Sequence, residues 1–212
     1  MQTDAKRCFL PAVGGRVTPD PESARIAGLL MAGRSRGYVL YDEIDRILAP
    51  GREGLTELDA ILSELAKNSI EVVDEPRTEG SIPDPDFLDR EEFQGRDDLA
   101  PVRMYLREVL TVPRLVPHDE KNLARQAKLG GHDGEEAAKR LIEANLWVVV
   151  ATARHYLNRG LSFIDLIQEG NIGLMRAVKE YNHLREYTFL TYAIWWVRTA
   201  IRRSLDEGSL QP

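Results

Sequence analysis

An all-helical fold is the class this sequence predicts, on three observations. Apolar residues recur at three- and four-residue spacing in the long runs 141–156, 163–181 and 193–204. Shorter runs around Ile26 to Leu30, Leu58 to Leu65 and Val102 to Leu110 repeat the pattern. Against these, only Ile70, Val72 and Val73 hint at a strand.

The first 21 residues, with Pro11, Gly14, Gly15, Pro19 and Pro21, read as an irregular tail. A short helix is expected over Glu22–Met31, closed by Gly33 and Gly37. Asp42 is the expected N-cap of a helix over Glu43–Leu48, stopped by Pro50 and Gly51, and Thr56 that of a third helix. These pieces make a small helical domain at 22–75. The stretch 76–96, rich in Pro and acids, reads as an extended linker that lets its two sides move relative to one another.

The remainder, 97–206, forms a larger helical domain. A helix begins near Asp98 with Pro101 in its first turn, and Pro113 and Pro117 break the chain after it. His118 or Asp119 is expected to cap the next helix, and Gly130-Gly131-His132-Asp133-Gly134 to form a loop. Leu141, Asn145, Val149, Thr152 and Tyr156 stripe the following helix. After the Asn158-Arg159-Gly160 turn, Ser162 caps a helix whose first turn holds Asp165, the sign that suits the dipole. Its Gly170 and Gly173 suit close helix packing. The last helix holds Ala193, Val197, Ala200, Ile201 and Ser204 on its packed stripe, with Trp195, Arg198 and Arg202 on another face and some aromatic surface left outward.

Composition narrows the functional classes. The 212 residues carry a formal net charge of -6, unevenly placed: 17 acids against 8 Lys and Arg over Glu22–Glu92, and 10 Lys and Arg against 5 acids over Lys139–Leu205. An acidic front and a basic back can select partners by field. Cys8 is the single cysteine, so neither an internal disulfide nor a thiolate metal cage can form. No run reaches membrane-spanning length and the N-terminus is a poor signal peptide, so a cytoplasmic protein is expected. His118, His132, His155 and His183 stand far apart without metal-ligand spacing, and no phosphate-binding glycine motif occurs; no enzyme, metal or cofactor is expected.

Two constellations remain. Asp165 and Glu169 share a helix face with Gln168 close by, and Asn171 and Met175 form a neighbouring surface, which suits docking on a basic partner. Tyr187, Phe189, Tyr192, Trp195 and Trp196 fall within ten residues, followed by Arg198, Arg202 and Arg203. Aromatic faces stack on unpaired bases at roughly 1–3 kcal/mol each, and guanidinium groups hold phosphates. Core packing and a protein-docking patch are the other uses of such a run.

The residues Asn158–Val178, N-R-G-L-S-F-I-D-L-I-Q-E-G-N-I-G-L-M-R-A-V, closely resemble the core of region 2 of bacterial primary (sigma-70 type) RNA polymerase sigma factors. Pro101–Val109 is similar to region 1.2, and Arg36–Ile44 with Ile70–Glu75 resembles region 1.1. The resemblance implies an all-α sigma domain 2 bundle behind a small helical region 1.1 and an acidic linker, without domains 3 and 4. It implies that Asp165, Gln168, Glu169, Asn171 and Met175 meet the clamp helices of the β′ subunit of core RNA polymerase. Tyr187, Phe189, Thr191, Tyr192, Trp195 and Trp196 would melt promoter DNA, with Trp195 at the upstream fork and Tyr192 on a flipped non-template adenine of the −10 element. Thr199 and Arg202 occupy the positions that read its upstream edge, where the family commonly has Gln and Thr, so that a changed or absent specificity is expected there, with Arg198 and Arg203 nearby. An acidic region 1.1 in this family hinders free sigma from binding DNA.

Five positions depart from the family pattern: Leu184 stands for an arginine, Glu186 for a glycine, Thr188 for a lysine, and Thr199 and Arg202 for a Gln and a Thr. Fewer cations imply weaker phosphate contact. Two readings follow: an initiation module that melts the −10 element on core polymerase, and a polymerase-binding decoy or regulator that does not open promoters.

Overall fold

The computed structural model describes residues 21–48, 52–74 and 100–208, and within them the regular structure is helical apart from two three-residue strands. The expected linker at 76–96 and the N-terminal tail lie outside those residues.

The N-terminal unit is built from α1 (Pro21–Arg36), β1 (Tyr38–Leu40), α2 (Tyr41–Asp45), α3 (Arg52–Lys67) and β2 (Glu71–Val73). Helix α1 passes through Gly33, because that glycine is a contact point and not a stop: a Cβ there would lie 2.8 Å from both Ile70 Cγ2 and Val39 Cγ2. The real terminator is Gly37, with φ +83 and its N–H on the Gly33 carbonyl at 2.7 Å. Val72 and Val73 do form a strand, paired in parallel with β1. Val39, Ile44, Leu58, Ile61, Leu62 and Leu65 fill the small core between these elements.

Two expected caps are displaced. Leu40, not Asp42, occupies the N-cap of α2, where its N–H is held by the Glu43 carboxylate at 3.0 Å. Asp42 thus falls in the first turn with its carboxylate free to reach outward. Helix α3 starts one turn before Thr56, which lies exposed inside it.

The C-terminal unit comprises α4 (Ala100–Thr111), α5 (Pro117–Leu129), α6 (Gly131–Ala153), a 3-10 turn (Arg154–Tyr156), α7 (Phe163–Glu180) and α8 (Phe189–Gly208). Val116 precedes α5 without a side-chain cap, and Pro117 at the first position needs no N–H partner, so neither His118 nor Asp119 is the cap. The expected 130–134 loop is instead a sharp turn at Gly130 and Gly131, with φ +71 and +72, after which α6 begins at once. Gly134 is buried, and a Cβ there would lie 3.1 Å from the Gln126 carbonyl oxygen. Two glycines needed for the turn and one needed for the close α5–α6 approach give the segment the composition of a loop.

Helices α6, α7 and α8 pack around Leu141, Val149, Phe163, Leu166, Leu174 and Val197. Ser162 caps α7 as expected, its Oγ accepting from Asp165 N–H at 3.2 Å. Gly170 and Gly173 let α7 and α8 touch: a Cβ on Gly173 would lie 2.6 Å from the Trp196 carbonyl oxygen. No helix among the described residues is long and apolar enough to cross a membrane.

Candidate functional site

The two units meet along one side of α8. Trp195, one turn from Thr191 and one from Arg198, donates its indole N–H to Asp45 at 2.9 Å. Arg198 gives one terminal nitrogen to Asp42 and the other to Asp74, and Arg202 pairs with Asp45 and, at 3.7 Å, with Asp42. Before α8, the Tyr187 hydroxyl hydrogen-bonds the Asp59 carboxylate, which also pairs with Arg185 at 3.2 Å. The Tyr41 hydroxyl donates to the Thr191 carbonyl at 3.0 Å. Every carboxylate in this set comes from the N-terminal unit and every cation from the C-terminal one, so the charge asymmetry of the sequence resolves into a contact.

Of the rings expected to leave some surface outward, Trp196 alone is half-buried and the other four are buried. Tyr187, Phe189, Tyr192 and Trp195 are at most 9% exposed. Two causes act together. Tyr181 supplies a hub, within 5.9 Å of Tyr187, 5.3 Å of Phe189 and 5.7 Å of Tyr192 by ring centroids, and aromatic pairs at these distances favour one another. The acidic unit then meets Tyr187 and Trp195 from outside. Thr191, Trp196 and Thr199 are half-buried, Arg202 remains largely open, and Arg203 is exposed on its own helix, paired with Glu207 at 2.7 Å.

Burial shapes the ionisation of these groups. Desolvation pushes the Tyr192 hydroxyl up to about 12, and that of Tyr187 higher still, with Asp59 adding to the shift. Asp45 is held above the usual carboxylate range because burial outweighs Arg202 and Trp195. Burial alone would lower the Arg198 guanidinium, but Asp74, Tyr156 and Asp42 more than offset it. A cleft of about 620 Å³ opens beside these pairs, lined by Asp42, Asp74, His155, Arg159 and Arg202 among others.

The second constellation is open. Asp165, Gln168 and Met175 are exposed on α7, while Glu169 and Asn171 are half-buried beside them. Asp165 accepts from Ser162 Oγ at 2.5 Å, and Asn171 accepts from the Tyr105 hydroxyl at 3.3 Å, which ties α4 to this face. Ile172, 39% exposed, and Met175, 49% exposed, add apolar surface to it.

Asp42, Asp45, Asp59 and Asp74 were not legible as site residues. The only signal for them was the net acidity of their segment, since their partners lie 124 to 157 positions away in the chain. No cluster of His, Cys, Asp and Glu suited to a metal ion occurs among the described residues.

Two family models match the chain. Residues 20–98 match Sigma-70 factor, region 1.1, and residues 141–209 match Sigma-70 region 2. The chain belongs to the sigma-70 family of RNA polymerase sigma factors. Among curated proteins it is similar to RNA polymerase sigma factor SigA of a Bacillus species, with 40% identity over 192 residues, 84% of this chain and 50% of that protein. The SigA proteins of Listeria monocytogenes and Clostridium acetobutylicum are each 38% identical, over 84% and 86% of this chain. The chain spans about half the length of the curated relatives it matches.

Proposed function

We propose that this chain is a sigma-type transcription initiation module: it docks on the β′ clamp helices of core RNA polymerase through α7 and melts the promoter −10 element with the aromatic and arginine face of α8. The observation that carries the reading is the pairing of that face. Arg198 and Arg202 are engaged by carboxylates, as a phosphate-binding surface would be when folded against an acidic segment of its own chain. Non-template DNA then competes with the N-terminal unit for the same guanidinium groups.

Magnitudes favour a reversible contact. Ion pairs between half-exposed groups contribute about 0–1 kcal/mol each, and much of the attraction around buried Arg198 goes to offsetting its desolvation. The interface is therefore specific without being strong, and binding to polymerase and DNA can replace it.

The test is binding of the reconstituted polymerase complex to a forked −10 probe. Trp195→Ala and Tyr192→Ala are each expected to weaken binding roughly 5- to 150-fold, the equivalent of one lost stack. Equal binding by wild type and both variants would overturn the reading.

A second reading has its own observation: in one and the same conformation the DNA face is covered and the α7 face is open. A chain that stays closed on polymerase would act as a decoy, displacing complete sigma factors without opening promoters. Polymerase binding with no binding of the forked probe favours it, and failure to displace a complete sigma factor excludes it.

A further inference from the structure

Arg198 is held from four directions. Its terminal nitrogens face Asp42 and Asp74, and its guanidinium lies over two rings, 5.6 Å from the centroid of Tyr41 and 5.9 Å from that of Tyr156. The side chain is 7% exposed, and its Nε finds no hydrogen-bond partner, so the two carboxylates and two rings are what fix it. Three of these four contacts come from the N-terminal unit. Tyr156, at the end of the 3-10 turn that follows α6, is the one that belongs to the same unit as Arg198.

We propose that Tyr156 is a positioning residue for Arg198, an aromatic post that keeps the guanidinium fork aimed outward from α8 so that a DNA phosphodiester can take the place of Asp42 and Asp74. This rests on the DNA-binding reading above. A free arginine side chain is rich in rotamers, and a planar fork held in advance loses less freedom on each bond it makes. Tyr156 is suited to the task because it is 4% exposed in the closed chain and belongs to the buried core cluster. Arg159 lies over the same ring at 5.1 Å, so two cations share one post beside the interdomain cleft. Two like charges on one ring are tolerable only with anions beside them, which the N-terminal carboxylates supply in the closed chain and phosphate supplies in the open one.

The experiment measures forked-probe affinity of the polymerase complex across a salt series for wild type, Tyr156→Phe, Tyr156→Leu, Arg198→Ala and the double variant Tyr156→Leu/Arg198→Ala. Tyr156→Phe keeps the ring and is expected to match wild type. Tyr156→Leu is expected to lose about 3- to 10-fold, the worth of one cation–π contact, and to lower the log–log salt slope by about 0.7–0.9, one phosphate. In the Arg198→Ala background it is expected to lose nothing further. Additive losses, or an unchanged salt slope in Tyr156→Leu, would overturn the proposal, since a purely structural tyrosine would act that way.

Should Tyr156→Leu lose its cooperative melt, Arg198→Lys poses the same question from the other side, keeping charge but not the planar fork. It is expected to fall as far as one lost stack, and wild-type affinity would overturn the post. A wild-type complex that ignores the probe sinks the proposed function together with the phosphate half of this inference. The post is then judged in the free chain, from closure read as a dye-pair distance between positions 31 and 175, where non-additive opening by the same two substitutions supports it and additive opening overturns it.

Discussion

Glu120 lies in the first turn of α5 yet is 5% exposed, hydrogen-bonded to the Asn145 side chain, and burial pushes its carboxyl up to about 7. Because the folded value exceeds the unfolded one, folding takes up a proton between the two. The contribution is complete below the unfolded value of 4.5 and is lost as pH rises toward 7. The shift sets an upper bound of about 3 kcal/mol. Glu120→Gln is therefore expected to melt higher than wild type at pH 8 and about equally at pH 4.5, in thermal scans at both values. A sequence reader sees Glu120 only as one acid in the start of a helix. Its burial depends on where α6 sits, and periodicity carries no such information.

Elements were the most legible scale. The stripes of α6 and α7 and the Ser162 cap follow from spacing and local chemistry and stand where the periodicity puts them, whereas on α8 the expected stripe residues Ala200 and Ser204 are half-buried and Trp195 and Arg198 are buried instead. Misreadings arose where a residue type has two uses. Gly134 and Gly33 read as breakers but serve close approach, while Gly130 and Gly131 make a turn, because a missing Cβ suits a tight turn and a tight packing contact equally well. The α7–α8 crossing gives a direct check. Gly173→Ala would place a Cβ 2.6 Å from the Trp196 carbonyl oxygen, backbone that cannot give way cheaply. A loss of about 1–3 kcal/mol is expected in urea unfolding. Polymerase and DNA binding are expected to fall together, as both faces hang on that crossing.

At the scale of the molecule, closure and docking use opposite requirements on charge. Reversing Asp165 and Glu169 to Lys is expected to weaken polymerase binding at least tenfold while leaving the free chain closed, by co-sedimentation and the dye-pair distance. Undiminished polymerase binding would remove both functional readings at once. Converting Asp42, Asp45 and Asp74 to Asn is expected to do the reverse: the free chain opens, single-stranded DNA binding rises severalfold, and polymerase binding stays level. DNA binding that fails to rise would mean the covered face is not the DNA face. Raised salt is expected to open the wild type in the same direction, since charge pairs between half-exposed groups are screened over about 10 Å at 0.1 M.

By itself the sequence determined the helical class and the family, and it marked out an acidic front, a basic back and the residues of α7 and α8 proposed to carry chemistry, because these depend on period, composition and short motifs. Tertiary structure alone decided that the ring and arginine face is covered and which carboxylates cover it. The reason is physical: Asp42, Asp45, Asp59 and Asp74 are ordinary surface acids until a packing between distant segments brings them against Arg198, Arg202, Trp195 and Tyr187, and no local pattern encodes that meeting.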